Sequence, residues 1–409
     1  MTEITLRYGC GRRFDCELPE EAVVAVHRGP EVLADVAEAA RDAVQQPIDF
    51  AAFREAVVPG DRVVIALQRD VPHGPTLVRT LMDVLLSRDV DPAEVTILQP
   101  AGLTAATDDP RCGLPEAIRE AVGWEVHDAT DEDRRAYLAS SAAGDRLYLS
   151  KTLVEADLVV PVGLVEHHSA LGYSGTNSVL FPGCGSAEAI VKLRGEGHDE
   201  LTPDEPRASR QLVDEVGWLL GTQFTLQGIR SRNGSLAAVL GGTSDAVMER
   251  GRTLLRDAWR LELDERPDMV VVSVDGRSGL NASCSNWEGT VEAIETARHL
   301  VERDGRIVVL SDCDETLGTA MDVIRQSRTP SEAVPPIRSM AAVDVDIALR
   351  LIRCLEWANV YLRSDLSPDL VEDLFMTPLA SDAEARRVVG TARDCVFAEG
   401  AQHTYGRAG

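Results

Sequence analysis

Two adjacent histidines, His167 and His168, follow an apolar run and open a segment rich in glycine and small residues, VEHHSALGYSGTNSVLFPG (165–183). Histidine needs no large pKa shift to exchange protons near neutral pH, so the pair could supply a general acid or base. Adjacent side chains of an extended strand point to opposite faces, which predicts that only one imidazole enters a given site. The alternative is a surface histidine or a packed core histidine. The position between a buried strand and a glycine-rich turn favours the chemical interpretation.

The segment GYSGTNSVLFPG (172–183) has the composition of an anion-binding loop. Small residues allow backbone N–H groups to approach a phosphate, and Ser174, Thr176 and Asn177 add polar side chains. The segment has neither the G-K-[ST] of a Walker loop nor the G-x-G-x-x-G of a dinucleotide fingerprint. A tight turn before a helix is the alternative interpretation.

The elements that would position these residues are short β-branched runs alternating with amphipathic helices. RVVIALQ (62–68), EVTILQPAG (94–102) and EADLVVPVGLVE (155–166) predict strands, with helices at PTLVRTLMDVLLSR (75–88) and PEAIREAVG (115–123). This alternation predicts a parallel sheet covered on both faces, which binds ligands at the carboxyl ends of its strands. The histidine segment, QRDVPHGP (68–75) and PAGLTAAT (100–107) all lie at such ends.

The rest of the chain repeats the pattern. FTLQGIRSRNGSLAAVLGG (224–242) predicts a hairpin that turns at Asn233-Gly234, and SDAVMERGRTLLRDAWRLEL (244–263) predicts a long helix. After the polar DERPD (264–268), strands are expected at MVVVSVDG and RIVVLSD, with a final strand at NVYLRSD (359–365). The predicted fold class is α/β: two α/β domains, residues 1–264 and 265–409, with mostly parallel sheets and a ligand cleft between them.

Composition excludes several classes of protein. The chain has 409 residues and a formal net charge of −26, which repels nucleic acid and anionic membranes. No apolar stretch approaches the roughly 20 residues of a membrane span, and the N-terminus has no signal-peptide pattern. The eight cysteines form no C-x-x-C pair, which is typical of a reducing compartment. We therefore expect a cytoplasmic protein without nucleic-acid or membrane partners.

The strand–HH–GYSG–PG stretch, with the helix-like SAEAIVKLRG after it, resembles the nickel-pincer-nucleotide lactate racemase family. The segments RVVIALQRDVP, VTILQPAG, DGRIVVL and NVYLRSDL also fall where that family has counterparts. The resemblance implies two α/β domains that hold a nickel-bearing pyridinium mononucleotide between them, supplied by cofactor-synthesis enzymes. It also implies that a histidine removes the hydroxyl proton of an α-hydroxy acid while a hydride moves to the cofactor and returns to the other face.

The resemblance assigns roles position by position. His168 falls on one of the two acid/base histidines of the family. Ser174, Gly175, Pro182 and Gly183 match the loop that shapes the nucleotide site, and Thr176 and Asn177 lie within this loop. The lysine that tethers the cofactor would fall at Ser178, and the nickel-binding histidine would fall at Arg194. The second acid/base histidine would fall at Thr104, and a substrate-binding arginine would fall near Val71.

Other residues could replace the missing groups. His198, one helical turn after Arg194, could reach the metal, and His73 at another strand end could provide the second imidazole. Lys192 could provide the amine in place of the missing tethering lysine, although a lysine on an amphipathic helix is usually solvated. Arg69 or Arg277 could hold a substrate carboxylate through a bidentate fork, and Tyr173 is a further candidate for contact with the substrate.

Three functions remain open at this point. The first is an α-hydroxy-acid racemase or epimerase that binds the nickel-pincer nucleotide without a covalent bond. The second is a paralogue that keeps the fold, has lost the cofactor, and binds a nucleotide or small anion. The substitutions at Ser178, Arg194 and Thr104 favour it. The third, a hydrolase or lyase that uses a histidine with Asp70 or Asp199, or Cys184 as nucleophile, has the least support.

Overall fold

The computed structural model describes residues 1–100, 109–194, 201–276, 285–340 and 342–409 of the chain, with Arg194 described by its backbone alone. Within these ranges the strands are β1 Thr2–Tyr8, β2 Arg12–Leu18, β3 Val23–His27, β4 Val63–Leu67, β5 Val95–Gln99, β6 Gly123–Val126, β7 Arg135–Ser140, β8 Arg146–Ser150, β9 Leu158–Leu164, β10 Glu166–His168, β11 Gly172–Ser174, β12 Thr225–Arg230, β13 Leu236–Gly242, β14 Arg260–Leu263, β15 Met269–Ser273, β16 Arg306–Leu310, β17 Asn359–Arg363, β18 Thr377–Pro378, β19 Cys395–Ala398 and β20 Tyr405–Ala408.

The helices connect these strands. The α-helices are α1 Val36–Gln45, α2 Gly74–Ser87, α3 Glu116–Ala121, α4 Lys151–Val154, α5 Ala187–Arg194, α6 Ala208–Leu219, α7 Ser244–Ala258, α8 Trp287–Leu300, α9 Thr319–Gln326, α10 Pro330–Arg338, α11 Val345–Leu355, α12 Pro368–Asp373 and α13 Asp382–Val389. Short 3₁₀ turns lie at Thr176–Val179 and Ala401–His403, among other places. None of the helices described is long and apolar enough to cross a membrane.

Two six-stranded sheets form the framework. The first sheet has the order β13-β12-β9-β4-β5-β6, and its strands are parallel except for the antiparallel pair β12 and β13. The second has the order β18-β17-β16-β15-β19-β3, and all its pairs are parallel. The predicted α/β class with mostly parallel sheets is confirmed, and so is the predicted hairpin, whose Gly234 has a φ of +76°.

Burial of the central strands explains why these segments form the sheets. Every residue of β4 (VVIAL), β9 (LVVPVGL) and β15 (MVVVS) is buried, as expected of parallel strands covered on both faces. Val160, Val162 and Leu164 of β9 are 0% exposed. Each such side chain contributes about 1.5–3 kcal/mol through burial. The strand that leads to the two histidines is therefore a rigid part of the first core.

The N-terminal segment belongs to the second sheet, which differs from the predicted division of the chain. Strand β3 pairs with β19, and the β1–β2 hairpin packs its apolar face on the same core, where Leu6 and Phe14 cluster with Val271. The first 27 residues therefore do not belong with the rest of the predicted unit 1–264, because β3 pairs with β19 near the C-terminus and the β1–β2 hairpin packs on the same core. The boundary after residue 264 otherwise stays a prediction.

Two local predictions were wrong. The helix predicted for 244–263 ends at Ala258, and residues Arg260–Leu263 form β14, which pairs with β20. Strand β17 is not the last strand, because β18, β19 and β20 follow it. In both cases a distant strand partner decides the structure, and a local pattern of hydrophobic residues carries no information about it.

Candidate functional site in the cavity between the two sheets

A short hairpin places the histidine pair. Strands β10 and β11 run antiparallel, with His167 opposite Tyr173 and His168 opposite Gly172. Gly172 has a φ of +77°, and a Cβ atom there would lie 2.4 Å from an Nη atom of Arg207. This position therefore requires glycine. The hairpin directs the chain from buried β9 back toward the second half of the molecule.

A cavity of about 110 Å³ lies beside this hairpin, between elements of the two halves. Its volume has room for several water molecules or one small organic acid. The first half lines it with His167, His168, Ser169, Gly172, Leu201, Pro203 and Arg207, and the second half with Glu292, Glu295, Thr296, His299, Arg350, Gln402, Thr404, Tyr405 and Gly406. Both histidines line the cavity, although strand alternation predicted that only one would. The reason is that β10 ends at His168, where a turn replaces the extended backbone.

Two backbone hydrogen bonds indicate the tautomer of the His168 ring. The backbone N–H groups of Ala170 and Leu171 donate to Nδ1 at 3.1 and 3.2 Å. Nδ1 therefore carries a lone pair, and the neutral ring has its hydrogen on Nε2. In this tautomer Nε2 donates a hydrogen bond and cannot accept a proton. The hairpin turn thus favours the tautomer in which His168 is a donor, whereas the family resemblance assigned His168 a role as acid or base.

His167 has a different environment. Its ring lies between Tyr173 and Tyr405, with ring centroids 5.3 and 5.6 Å away. Both ring nitrogens are buried, with no hydrogen-bond partner among the described residues. Burial lowers the pKa of His167 to about 4, so the ring is neutral at physiological pH. His167 therefore matches the alternative interpretation of the sequence, a histidine packed in the core.

Two carboxyl groups line the cavity from α8 in the second half of the chain. Glu295 of α8 accepts hydrogen bonds from Arg350 and Arg353, both at 3.4 Å. Glu292, one turn earlier, has its nearest cation at 3.8 Å, on Arg350. Burial raises the pKa of Glu292 to about 8, Arg350 opposes the shift, and neighbouring carboxylates add to it. Neither glutamate was predicted from the sequence. The sequence does contain a pattern that could have indicated them, because glutamates at 288, 292 and 295 lie on one face of a helix.

The glycine-rich loop makes mainly internal contacts. Gly175 has a φ of +104°, and its N–H donates to Ser178 Oγ at 2.8 Å. Thr176 is 0% exposed and Asn177 is 4% exposed. The Asn177 amide oxygen accepts a hydrogen bond from Ser244 at 3.2 Å. Three polar side chains of the predicted nucleotide loop, those of Thr176, Asn177 and Ser178, therefore already form hydrogen bonds that hold the loop.

Arg210 of α6 fixes the same loop from behind. Its guanidinium donates to the carbonyl oxygens of Tyr173 and Gly175 at 3.3 and 3.2 Å, and to Thr176 Oγ1 at 2.8 Å. Asp214, one helical turn later, accepts a hydrogen bond from Arg210 Nε at 3.0 Å. Farther along, Pro182 follows a cis peptide bond, and a Cβ atom at Gly183 would lie 2.4 Å from a carbonyl oxygen. The loop is a rigid structure built around one buried arginine.

Tyr173, the middle residue of β11 in the hairpin, is buried. Its hydroxyl donates to Asp204 at 2.8 Å, and Arg252 lies over its ring. Burial and the Asp204 carboxylate raise the pKa of Tyr173. The predicted contact of Tyr173 with substrate is not supported by this geometry, because only 2% of the residue is exposed.

The other predicted residues are dispersed or undescribed. His73 caps α2 and contacts Ser235 Oγ at 2.9 Å, in a separate open cavity of about 330 Å³, so the structure does not bring it to His168. Arg69 is half-buried at the end of β4. Arg194 is the last residue of α5, and its side chain lies outside the described part of the chain. Thr104, His198, Asp199 and Arg277 also lie outside the described residues.

The described residues do not fit a covalently tethered cofactor. Ser178 has no amine, Lys192 pairs with Asp145 at 3.0 Å on the surface, and Lys151 lies 3.7 Å from Glu155. Within the described ranges no group of three His, Cys, Asp or Glu side chains could hold a metal ion. Cys184 is fully buried, and burial raises the pKa of its thiol, so it is no candidate nucleophile.

Comparisons with known proteins agree with the fold. Residues 8–197 match the family model of the lactate racemase N-terminal domain. The lactate racemase of Thermoanaerobacterium thermosaccharolyticum is 22% identical over 414 residues, covering 95% of this chain and 94% of the relative. The structure of the lactate racemase apoprotein from that organism matches with a TM-score of 0.81 at 19% identity, covering 99% of this chain and 100% of the other.

A crystal structure of a protein from Thermotoga maritima also matches, with a TM-score of 0.69 at 12% identity, covering 91% of this chain and 98% of the other. These similarities confirm the resemblance inferred from the sequence. Residues 8–197 match the model of the lactate racemase N-terminal domain, and the chain has the same fold as the lactate racemase apoprotein.

Proposed function

We propose that the protein is a racemase or epimerase of a small α-hydroxy acid, of the lactate racemase type. One observation carries the proposal: the cavity between the two sheets is lined by His168, the residue on which the family's acid/base histidine falls. The relationship to lactate racemase supports the same class of reaction. Arg207 and Arg350 also line the cavity, and a guanidinium is suited to bind the carboxylate of such a substrate.

The proposed cofactor is a nickel-pincer nucleotide held without a covalent bond. The family relationship implies this cofactor, whereas Ser178 and the surface positions of both lysines do not fit a tether. Phosphate contacts and packing can hold a nucleotide without a bond. Under this proposal the cofactor-synthesis enzymes are suppliers, and His198 and Arg194 are the positions at which a metal ligand and an anion contact are predicted.

The first experiment is native mass spectrometry of the protein coexpressed with the cofactor-synthesis enzymes, before and after denaturation, with nickel measured on the same sample. We expect a nucleotide-sized adduct with one nickel ion that leaves on denaturation. An adduct that survives denaturation would contradict the untethered form. The loaded protein is then screened for racemization of hydroxy acids.

The His168→Ala variant tests the role of the histidine. We expect turnover to fall by a factor of about 100 to 10,000, as for loss of a general acid or base, while nickel stays bound. Asp83→Ala is the control, because Asp83 is exposed on α2 and lines neither cavity described above. An unchanged racemization rate in His168→Ala would show that His168 takes no part in the reaction.

A second candidate function is a cofactor-free paralogue that binds a small anion in the same cavity. The internal contacts of Thr176, Asn177 and Ser178 favour it, because these side chains are already paired without a nucleotide. This candidate predicts neither adduct nor nickel in the first experiment. His168→Ala would then weaken anion binding, and there would be no turnover to lose.

A further inference from the structure

Glu292 is more open to the cavity than Glu295, the other carboxyl group that lines it. It lines the cavity from α8, and among the described residues no group donates a hydrogen bond to it. Its nearest cation is Arg350 Nη1, 3.8 Å away. The Glu292 side chain is 38% exposed, so its carboxylate is open to the cavity and can contact a ligand bound there.

The reaction class requires a proton acceptor that His168 does not supply in its neutral form. Two backbone N–H groups donate to its Nδ1, which leaves hydrogen on Nε2. For Nε2 to accept a proton, Nδ1 would have to exchange its lone pair for a hydrogen and lose both bonds. While His168 keeps this tautomer, another group in the cavity has to accept the hydroxyl proton of the substrate.

The other titratable groups of the cavity are less suited to accept a proton. Glu295 accepts hydrogen bonds from two arginines. Both ring nitrogens of His167 are buried where the ring packs between two tyrosine rings, and burial lowers the pKa of the ring. His299 Nε2 lies within hydrogen-bond distance of Arg298 Nη2, at 3.0 Å. Tyr405 is an acid whose pKa is raised by burial. Glu292 remains.

The surroundings of Glu292 favour a base that works near neutral pH. Its own helix adds the negative charges of Glu288 and Glu295, and α11 adds the positive charge of Arg350. On the first-domain side, Glu166, His167, His168 and Arg207 belong to or line the same region. Burial and the three other glutamates hold the pKa of Glu292 above its usual range, and Arg350 limits the rise.

We propose that Glu292 is a catalytic residue that contacts the substrate and accepts the proton of its hydroxyl group, opposite the donor His168. The O–H bond of the hydroxyl breaks, an O–H bond to a carboxylate oxygen of Glu292 forms, and the reverse transfer returns the proton. The identity of the ligand, an α-hydroxy acid, rests on the proposed function. The assignment of the acceptor rests on the contacts of Glu292 and His168.

The test compares wild type, Glu292→Gln and Glu295→Gln, each loaded with cofactor. Glu292→Gln keeps the shape of the side chain and removes the base, so we expect kcat to fall by a factor of about 100 to 10,000 with KM little changed. The rate of wild type should rise with pH and level off above the pKa of Glu292, because only the carboxylate accepts a proton. In Glu295→Gln the rise should persist but move to lower pH, since one nearby negative charge is gone.

A second measurement needs neither substrate nor cofactor. Infrared difference spectra between wild type and Glu292→Gln should contain the C=O band of a protonated carboxyl at pH 6, and the band should disappear as the pH rises toward 9. Circular dichroism checks that both variants are folded. Should the band be missing at pH 6, or should Glu292→Gln keep its kcat, the assignment of Glu292 is overturned.

The two proposals can fail separately. If the wild type racemizes a hydroxy acid but Glu292 does not titrate in this range, the inference fails and the proposed function stands. If Glu292 titrates as expected but the loaded wild type racemizes no hydroxy acid, the proposed function fails. In that case only the proton-holding property of Glu292 is supported.

Discussion

Replacement of Arg210 by alanine should destabilise the glycine-rich loop strongly. The side chain is 7% exposed, and it donates to two carbonyl oxygens and to Thr176 Oγ1. A buried acceptor that loses its donor costs about 1–3 kcal/mol. Both carbonyl contacts are long, at 3.2–3.3 Å, so the low end of this range applies to each. The three acceptors together then amount to about 3–4 kcal/mol. Asp214 is 40% exposed, so water can replace its lost partner.

Urea unfolding of Arg210→Ala and wild type measures this loss, and hydrogen exchange at residues 172–179 shows whether the loop itself opens. The matched control is Arg62→Ala. Arg62 makes a two-pronged contact with Asp157, but both side chains are about half exposed, and such surface pairs are worth about 0–1 kcal/mol. If Arg210→Ala costs no more than Arg62→Ala, burial of the guanidinium does not hold the loop, and the account of its rigidity is wrong.

Two further predictions concern the same hairpin and loop. Gly175→Ala should destabilise the fold by more than about 1 kcal/mol, because φ is +104° and the new Cβ would lie 2.7 Å from the Leu164 carbonyl oxygen. Gly60→Ala, with a φ of +90° and open space around it, should cost only the backbone strain, and equal losses in urea unfolding would contradict the contact argument. His167→Phe should reduce the loss of stability between pH 7 and pH 5 by roughly 2 kcal/mol. The pKa of His167 is lowered to about 4, so below pH 6.5 the unfolded chain binds a proton that the folded chain excludes, and stability falls as the pH drops toward 4. An unchanged pH dependence of unfolding would exclude this account.

The fold was predictable where burial acts locally. The runs at β4, β9 and β15 are apolar throughout, so each predicts a strand covered on both faces. The β12–β13 hairpin was predictable because its turn has Asn-Gly chemistry. The partners of β3 and β14 were not predictable, because both pair with strands near the C-terminus and no local pattern specifies such a pairing.

The site was predictable in part. A strand end, two imidazoles and a glycine-rich turn identified the hairpin that lines the cavity. The role predicted for the polar side chains of the loop stays a prediction, because sequence shows that Thr176 and Asn177 can form hydrogen bonds but not that an internal partner is already present. Glu292 escaped notice because a glutamate on an amphipathic helix normally faces water. Only the tertiary structure, in which residues of α8 and of the histidine hairpin line one cavity, shows its position.

The pairing of β3 with β19 has a consequence for the order in which the chain can fold during synthesis. The two strands are separated by about 370 residues, so the N-terminal segment leaves the ribosome long before its partner exists. At about 5–20 residues per second, this interval lasts roughly 20–70 s. The first sheet lacks such a dependence, since its strands all lie between Val63 and Gly242. The half that carries the histidines can therefore form while translation continues, whereas the second half can close only after the last strands emerge.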